Sequence, residues 1–429
     1  MKFQTPRGTR DFLPEDMIRR QYVLDIVRNV FEKWGFDPLE TPAFEDWKLL
    51  AAKSGGGEEI KKEIYYFKDK SDRELGLRFD LTVPMARVIA NNPGLPKPFR
   101  RYQIGPVWRY DRPGAGRWRE FVQCDVDIVG SSSSEADAII IATACDCLCE
   151  LGFSDFIVRI NNRKIIEAFL NLLKIKNIND VFRSIDKLEK FGEKIVIDEL
   201  NEKRIEKNKI KEILEFIKID NLEKVFNLIK NERKGIEGIN EIKEILSTLD
   251  KLDFREYIKF DSSLVRGLDY YTGSVFEIVT MDSKLSIGGG GRYDRLIELF
   301  GGKPTPATGI SLGIDRIVEL MKNRNMFNLP KTLTKIFVAN VTEKEKDETI
   351  KLAKKLIGLG LSTEFDVFGR NLSKQLEYVN SKNIPFTIII GEKELKNKKI
   401  KLRNMKSGEE KEIDINNLEQ IKTIVYSRK

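Results

Sequence analysis

VWRYDRPGAGRWREFVQCDVD, residues 107–127, is the stretch on which the fold turns. From residue 99 to 130 apolar and polar side chains alternate on both sides of the Pro-Gly piece RPGAGR at 112–117. Period-two alternation broken by turn residues predicts a β-hairpin, here with a long basic loop. Trp108, Tyr110, Trp118 and Phe121 are interleaved with Arg109, Asp111, Arg112, Arg117 and Arg119. An arginine fork matches phosphate oxygens, and an aromatic face can stack on a base. The same residues would also make an ordinary solvated hairpin, and taken alone they leave both readings open.

Working outward, Val23, Ile26, Val27, Val30, Phe31 and Trp34 fall at helical spacing ended by Gly35, ahead of an extended segment with Pro38 and Pro42. The run 138–151 is apolar and reads as a buried helix or strand. It carries Cys145, Cys147 and Cys149 in alternation, a pattern suited to packing and unlike the paired CxxC knuckles of a metal site. From about 164 to 257 the composition shifts to Lys, Glu, Ile, Asn and Leu, with Ile210, Ile213, Leu214 and Ile217 on one helical face, which predicts a helical insertion. Strand-like runs and glycines return over 264–320, a linker covers 323–334, and KIFVANV, a Lys-rich helix and IPFTIIIG then form a small α/β domain. The expected boundaries are 1–163, 164–257, 258–325, 326–333 and 334–429.

Composition bounds the chemistry. The 429 residues exceed what one core usually serves, and 33% are charged with a mild net charge of +8, which permits a polyanionic partner without requiring one. No apolar run approaches a membrane span, so a soluble cytoplasmic protein is expected. The chain contains no histidine, which removes imidazole bases, histidine triads and imidazole metal ligands. Catalysis has to rest on arginine, carboxylate, tyrosine and backbone groups.

Three further clusters carry such groups. SSLVRGLDYYTGSVFEI (262–278) sets one arginine, one aspartate and two tyrosines ahead of a strand. IGGGGRYD (287–294) has four successive glycines, which let a backbone approach a ligand or simply turn; it is neither a Walker loop nor a GxGxxG frame. TGISLGIDRIVELM (308–321) places Arg316 at the start of a helix.

In order, these pieces resemble the class II aminoacyl-tRNA synthetases. KWGFDPLETP (33–42) is similar to their first motif, VWRYD with its loop and REF to the second, and GISLGIDRI to the third. PRGTRDFLPED (6–16), LRFDLTVP (77–84), LVRGLDYYTG (264–273) and GGGGRYD (288–294) resemble the histidyl subgroup, and GRNLSKQ (369–375) with IIIGEKE (388–394) its anticodon-binding domain. The resemblance implies an α/β (α+β) fold: a class II core of antiparallel sheet flanked by helices, the helical insertion, and a C-terminal α/β anticodon-binding domain. It also implies ligation of L-histidine to tRNA(His) through a histidyl-adenylate, with ATP as substrate, Mg2+ bridging its phosphates, no metal held by the protein, no membrane, and a homodimer formed through the first motif.

Residue by residue, the resemblance gives Arg266 and Arg109 the catalytic roles, at the α-phosphate. Asp80 and Thr82, with Leu81 between them, belong to the site for the α-amino group, with Gln123 near them. Asp127 and Tyr271 read the imidazole ring, and Tyr270 lines that pocket. Phe121 stacks adenine against Arg316, which also faces the γ-phosphate. Asp111 lies near adenine, and Arg117 near the phosphates or the tRNA acceptor end. Asp111 and Asp127 stand where many family members have glutamate, which keeps the charge. The rival within the same fold is a non-catalytic paralogue such as a regulatory subunit of ATP phosphoribosyltransferase; a plain RNA-binding module would leave Asp80, Arg266 and Tyr271 without a purpose.

Overall fold

The computed structural model describes residues 3–52, 63–110, 112, 114, 116–265, 270–281 and 283–426. The chain divides into two compact units, Met1–Arg10 with Tyr22–Met326 and Asp11–Gln21 with Phe327–Lys429.

The first unit is built on an eight-stranded sheet whose strands are β1 (Asp37–Pro38), β5 (Phe99–Trp108), β6 (Glu120–Val129), β7 (Phe156–Asn162), β8 (Ile258–Phe260), β9 (Ser274–Thr280), β10 (Ser283–Arg292) and β11 (Ala307–Gly313). Their spatial order is β1-β5-β6-β11-β10-β9-β7-β8. The predicted hairpin supplies its second and third strands, with β5 and β6 antiparallel from Phe99↔Val129 to Trp108↔Glu120. The inner pairs are antiparallel, but β1 runs parallel to β5 and β8 parallel to β7, so the sheet is mixed at its two edges. A small sheet of β2 (Phe44–Asp46), β4 (Glu74–Leu77) and β3 (Tyr66–Lys68), for which the sequence pattern gave no signal, lies between β1 and β5 in the chain.

Alternation explains which face does what. Cys124, Val126, Ile128, Phe276, Ile278, Val158, Ile160, Ile310 and Leu312 point to one side and are all buried. The helix Ser134–Glu150 has Ile140, Ile141, Ala144, Cys145, Cys147 and Leu148 buried, as expected of a core helix that is apolar on most sides. Ser133 caps it by accepting the Glu135 N–H at 3.2 Å. Cys145 and Cys147 are therefore packing groups, and burial raises both thiols well above their usual range. Helices from Arg163–Leu172 to Arg233–Lys251 fill the segment between β7 and β8, with Ile210, Ile213 and Leu214 buried as one face.

The second unit has strands β12 (Ile336–Asn340), β13 (Thr363–Phe365), β14 (Phe386–Ile390), β15 (Lys399–Asn404) and β16 (Glu410–Asp414), in the order β13-β12-β14-β15-β16. Ile336, Val338, Leu352, Leu356, Ile388, Ile390, Ile400 and Leu402 form its core. The antiparallel β15–β16 hairpin, rich in lysine and glutamate and with only Ile400, Leu402 and Ile413 buried, was not evident from the sequence. Helix Leu372–Lys382 starts where Asn371 accepts the Lys374 N–H at 3.0 Å, and ends at Asn383 in the left-handed conformation, φ 57°.

Candidate active site

The opposite face of the large sheet is polar and yet buried. Directly opposed residues of neighbouring strands share a face, so the ladder can be read across it. One row runs Gln103↔Asp125, Asp125↔Ser311, Ser311↔Gly289, Gly289↔Glu277 and Glu277↔Arg159, from β5 to β7. The next runs Arg101↔Asp127, Asp127↔Gly309 and Gly309↔Gly291. A third pairs Gly105, Gln123 and Gly313. Arg101 is 0% exposed, Gln103 1%, Asp127 2% and Asp125 3%, and such a density of buried polar groups is the informative departure from ordinary burial.

The glycines on this face make space that side chains from elsewhere use. A Cβ on Gly309 would lie 2.0 Å from Asp127 Oδ1, and one on Gly291 would lie 2.8 Å from the Tyr271 ring. The glycine run of residues 288–291 is thus part of β10 and not a turn. Gly290 is packed on its other side as well, a Cβ there falling 2.0 Å from the Gly309 carbonyl.

At one end the site is built around Asp127. Arg101 Nη2 approaches Asp127 Oδ2 at 2.7 Å, and the Tyr293 hydroxyl donates to Asp127 Oδ1. Burial beside that carboxylate raises the Tyr293 phenol well above its usual range, so it stays a proton donor. Tyr270 packs on Tyr271 at 4.6 Å and edge-on to Tyr293 at 6.0 Å between ring centroids. Arg101 Nη2 also donates to the Leu81 carbonyl at 3.4 Å, and Asp80 Oδ1 accepts the Val83 N–H at 3.0 Å at the start of helix Thr82–Asn91. Gln123 Nε2 donates to Ser311 Oγ at 2.8 Å. Asp80, Leu81, Thr82, Gln123, Asp127, Tyr270 and Tyr271 are thus gathered from three chain segments into one wall.

The other end is cationic. Arg109 Nε donates to the Phe79 carbonyl at 3.0 Å, leaving its guanidinium carbon 5.2 Å from the centre of the Phe121 ring. Arg316 Nη1 donates to the Ser286 carbonyl at 2.5 Å. Burial, then the proximity of Arg109 and Arg117, lowers the Arg316 guanidinium below its ordinary value, while Glu277 opposes them. Three cations crowded against this end suit a polyanion. Arg117 is exposed on the hairpin loop, where its backbone exchanges hydrogen bonds with Gly114 at 3.0 and 3.1 Å. Helix Ile314–Asn323 is locked to β6 by Asp315, whose Oδ2 accepts the Val122 N–H at 2.9 Å and whose Oδ1 pairs with Arg10 at 2.7 Å. Arg10 lies 4.4 Å over Trp118, which joins the N-terminal PRGTRDF piece to the hairpin loop.

Asp111 and Arg266 lie outside the described residues. The sequence reading missed Arg101, Tyr293, Asp125 and Glu277. Tyr293 stood inside the quoted GGGGRYD, but its partner Asp127 is 166 residues away. Among the described residues no group of three or more histidine, cysteine, aspartate or glutamate side chains could hold a metal, and no helix is long and apolar enough to cross a membrane.

The comparisons with known proteins agree with this geometry. A family model described as histidyl-tRNA synthetase matches residues 8–317, and one described as an anticodon binding domain matches 335–422. The chain belongs to the histidyl-tRNA synthetase family. It is similar to the histidine–tRNA ligase of Pyrococcus furiosus, 37% identical over 425 residues that cover 96% of each protein. The crystal structure of the histidyl-tRNA synthetase from Nostoc sp. PCC 7120 superposes with a TM-score of 0.85 at 32% identity, covering 99% of this chain and 100% of that one. A structure titled as an ATP phosphoribosyltransferase regulatory subunit/histidyl-tRNA synthetase from Bacillus halodurans C follows at 0.76 and 25% identity, covering 91% of this chain and 98% of that one. Synthetases of this family take an amino acid, ATP and a tRNA, and the site has to be read in those terms.

Proposed function

We infer that this chain ligates L-histidine to tRNA(His), first forming histidyl-adenylate and pyrophosphate from ATP and then passing the histidyl group to the 3′ end of the tRNA. The observation that carries the reading is the polarity of the buried sheet face. A carboxylate clamped by Arg101 and Tyr293 stands at one end, and the guanidinium groups of Arg109 and Arg316 at the other. A small substrate with a basic ring and an ammonium fits the first end, and a triphosphate the second.

On this reading Asp127 accepts the imidazole N–H, with Tyr271 and Tyr270 closing the ring pocket. A site made to hydrogen-bond both nitrogens rejects analogues lacking them by leaving its own buried groups unpaired. Asp80, Leu81, Thr82 and Gln123 receive the α-amino group. Phe121 offers its ring to adenine opposite Arg316, with Asp111 nearby, and Arg109 and Arg117 meet the phosphates. Arg266 stabilises the negative charge that gathers at the α-phosphorus as the carboxylate attacks, which requires no proton transfer and is compatible with a chain lacking histidine. Mg2+ would arrive with ATP and would offset part of the triphosphate charge. Phe44, just after the first motif, is exposed together with Phe67, their ring centroids 6.3 Å apart, which supports a homodimer through that region, and tRNA charging supports a cytosolic location.

The anticodon-domain match at 335–422 favours the charging enzyme over the regulatory paralogue. It also yields a prediction. Deleting residues 334–429 is expected to lower the rate of histidine transfer to tRNA at least about a hundredfold, with adenylate formation nearly unchanged, because anticodon contacts contribute binding energy only in the second step. Charging assays with labelled histidine, beside adenylate formation measured on the same preparation, check this. Equal losses in both steps would contradict the assignment of the second unit to the anticodon.

A further inference from the structure

Asp125 has no role in the assignments above, yet it occupies the middle of the polar row. It is 3% exposed, and its Oδ1 has no hydrogen-bond partner among the described residues. Directly opposite on β5 is Gln103, 1% exposed, whose Oε1 is likewise unpartnered while its Nε2 donates to Thr41 Oγ1 at 3.0 Å. Two strands therefore present facing acceptor oxygens, joined by Gln123 Oε1 on the same face, also without a partner among the described residues. Acceptors buried in this way require donors, supplied either by a proton on the carboxyl or by N–H groups of a ligand.

The charges around Asp125 decide between the two. It is faced by Asp127 on β6, Arg101 on β5, Arg78 and Asp80 on the segment after β4, and the Tyr293 hydroxyl beyond β10. The β11 neighbour is Ser311 and the β10 neighbour Gly289, neither of them charged. Arg78 is shared with Glu40 and Glu45, so an ionised Asp125 leaves uncompensated negative charge in a water-poor site. Burial pushes its carboxyl up to about 7, Asp127 and Asp80 adding to the effect and Arg101 and Ser311 opposing it.

We propose that Asp125 is a proton-exchanging residue that positions the ammonium of the amino-acid substrate: it carries a proton in the free protein and releases it when the ammonium binds beside Asp80 and Gln123. One O–H bond breaks, its proton passes to solvent, and the N–H groups of the ammonium take over the oxygens of Asp125, Gln103 and Gln123. Gaining the ammonium and losing the proton leave the net charge on this face unchanged. The proposal rests on histidine being the substrate.

Isothermal titration calorimetry of L-histidine into the full chain and into Asp125→Asn, each in phosphate and in Tris, counts the protons released. Near pH 7 a group titrating at about 7 is about half protonated, so the parent is expected to release roughly half a proton more per histidine than the variant. The difference should vanish at pH 8.5, where Asp125 is already ionised, and there the variant should bind histidine roughly tenfold more weakly. The titration of the substrate's own imidazole is common to both proteins and cancels. Equal proton release at pH 7 would overturn the proposal. Should the variant not fold, the difference infrared spectrum of the parent decides: adding histidine at pH 7 must remove a protonated carboxyl C=O band, and its persistence overturns the proposal. A parent that binds no histidine would instead overturn the substrate reading on which the proposal stands.

Discussion

Arg266→Ala is expected to lower kcat for adenylate formation by on the order of a thousandfold while leaving the KM for histidine within a few-fold of the parent. The expectation follows from where charge develops. Histidine and ATP reach the site already charged, and the additional negative charge at the α-phosphorus exists only in the transition state. A guanidinium aimed at that point contributes to kcat and little to ground-state binding. Residues 262 and 264 are tied to β7: Asn161 Nδ2, on a fully buried residue, donates to the Ser262 carbonyl at 3.2 Å and to the Leu264 carbonyl at 3.0 Å. Downstream, Tyr271 is buried against Gly291. Single-turnover adenylate formation in the variant checks the prediction. Unchanged kcat would remove Arg266 from the mechanism, and a KM raised with kcat intact would reassign it to substrate binding.

The largest stability effect is expected at Asp137. This carboxylate, 1% exposed on the helix Ser134–Glu150, meets Arg292 Nη2 at 2.5 Å and Nε at 3.0 Å, and accepts from Ser274 Oγ and Thr308 Oγ1, each at 2.7 Å. It ties the core helix to β9, β10 and β11 together. Arg292 in turn donates to the Ser131 and Ser133 carbonyls at 2.9 and 2.8 Å, just ahead of that helix. Asp137→Ala removes the closest counter-charge of the buried guanidinium, leaving it Asp294 at 3.4 Å, and takes the acceptor from Ser274 Oγ and the shorter of the two from Thr308 Oγ1, at a cost of about 3–5 kcal/mol. In a unit of this size that corresponds to a fall in Tm of roughly 10 °C. Thermal unfolding followed by circular dichroism measures it, and a loss of under about 1 kcal/mol would show that the network is dispensable.

How much of this was legible in the chain depended on whether the signal was local. The β5–β6 hairpin announces itself because alternation and the RPGAGR turn lie within one stretch, and the insertion because its apolar residues recur at helical spacing. Phe121 stands out on that hairpin as an aromatic among arginines, whereas Gln123 and Asp127 are named through the resemblance of the motif. Arg101 and Asp125 lie on the hairpin too, but alternation reports only that they share a face with Asp127 and not that the face is buried. Tyr293 donates to Asp127 only because β11 intervenes between β6 and β10, a strand order that no local pattern encodes. The glycine run leaves close approach and a turn equally open, and the residues are in a strand, where the missing Cβ atoms of Gly290 and Gly291 admit the Gly309 carbonyl and the Tyr271 ring. The β15–β16 hairpin was hidden by its lysines and glutamates, since a strand pair with most of its side chains in water carries little apolar periodicity.

The central claim is that the buried polar face selects histidine and activates it with ATP. ATP–pyrophosphate exchange with the full chain and each of the twenty amino acids in turn tests it most directly, since exchange requires only the first step and no tRNA. The predicted result is exchange that depends on histidine alone. Exchange driven by another amino acid, or none with any of the twenty from a folded preparation, would contradict it.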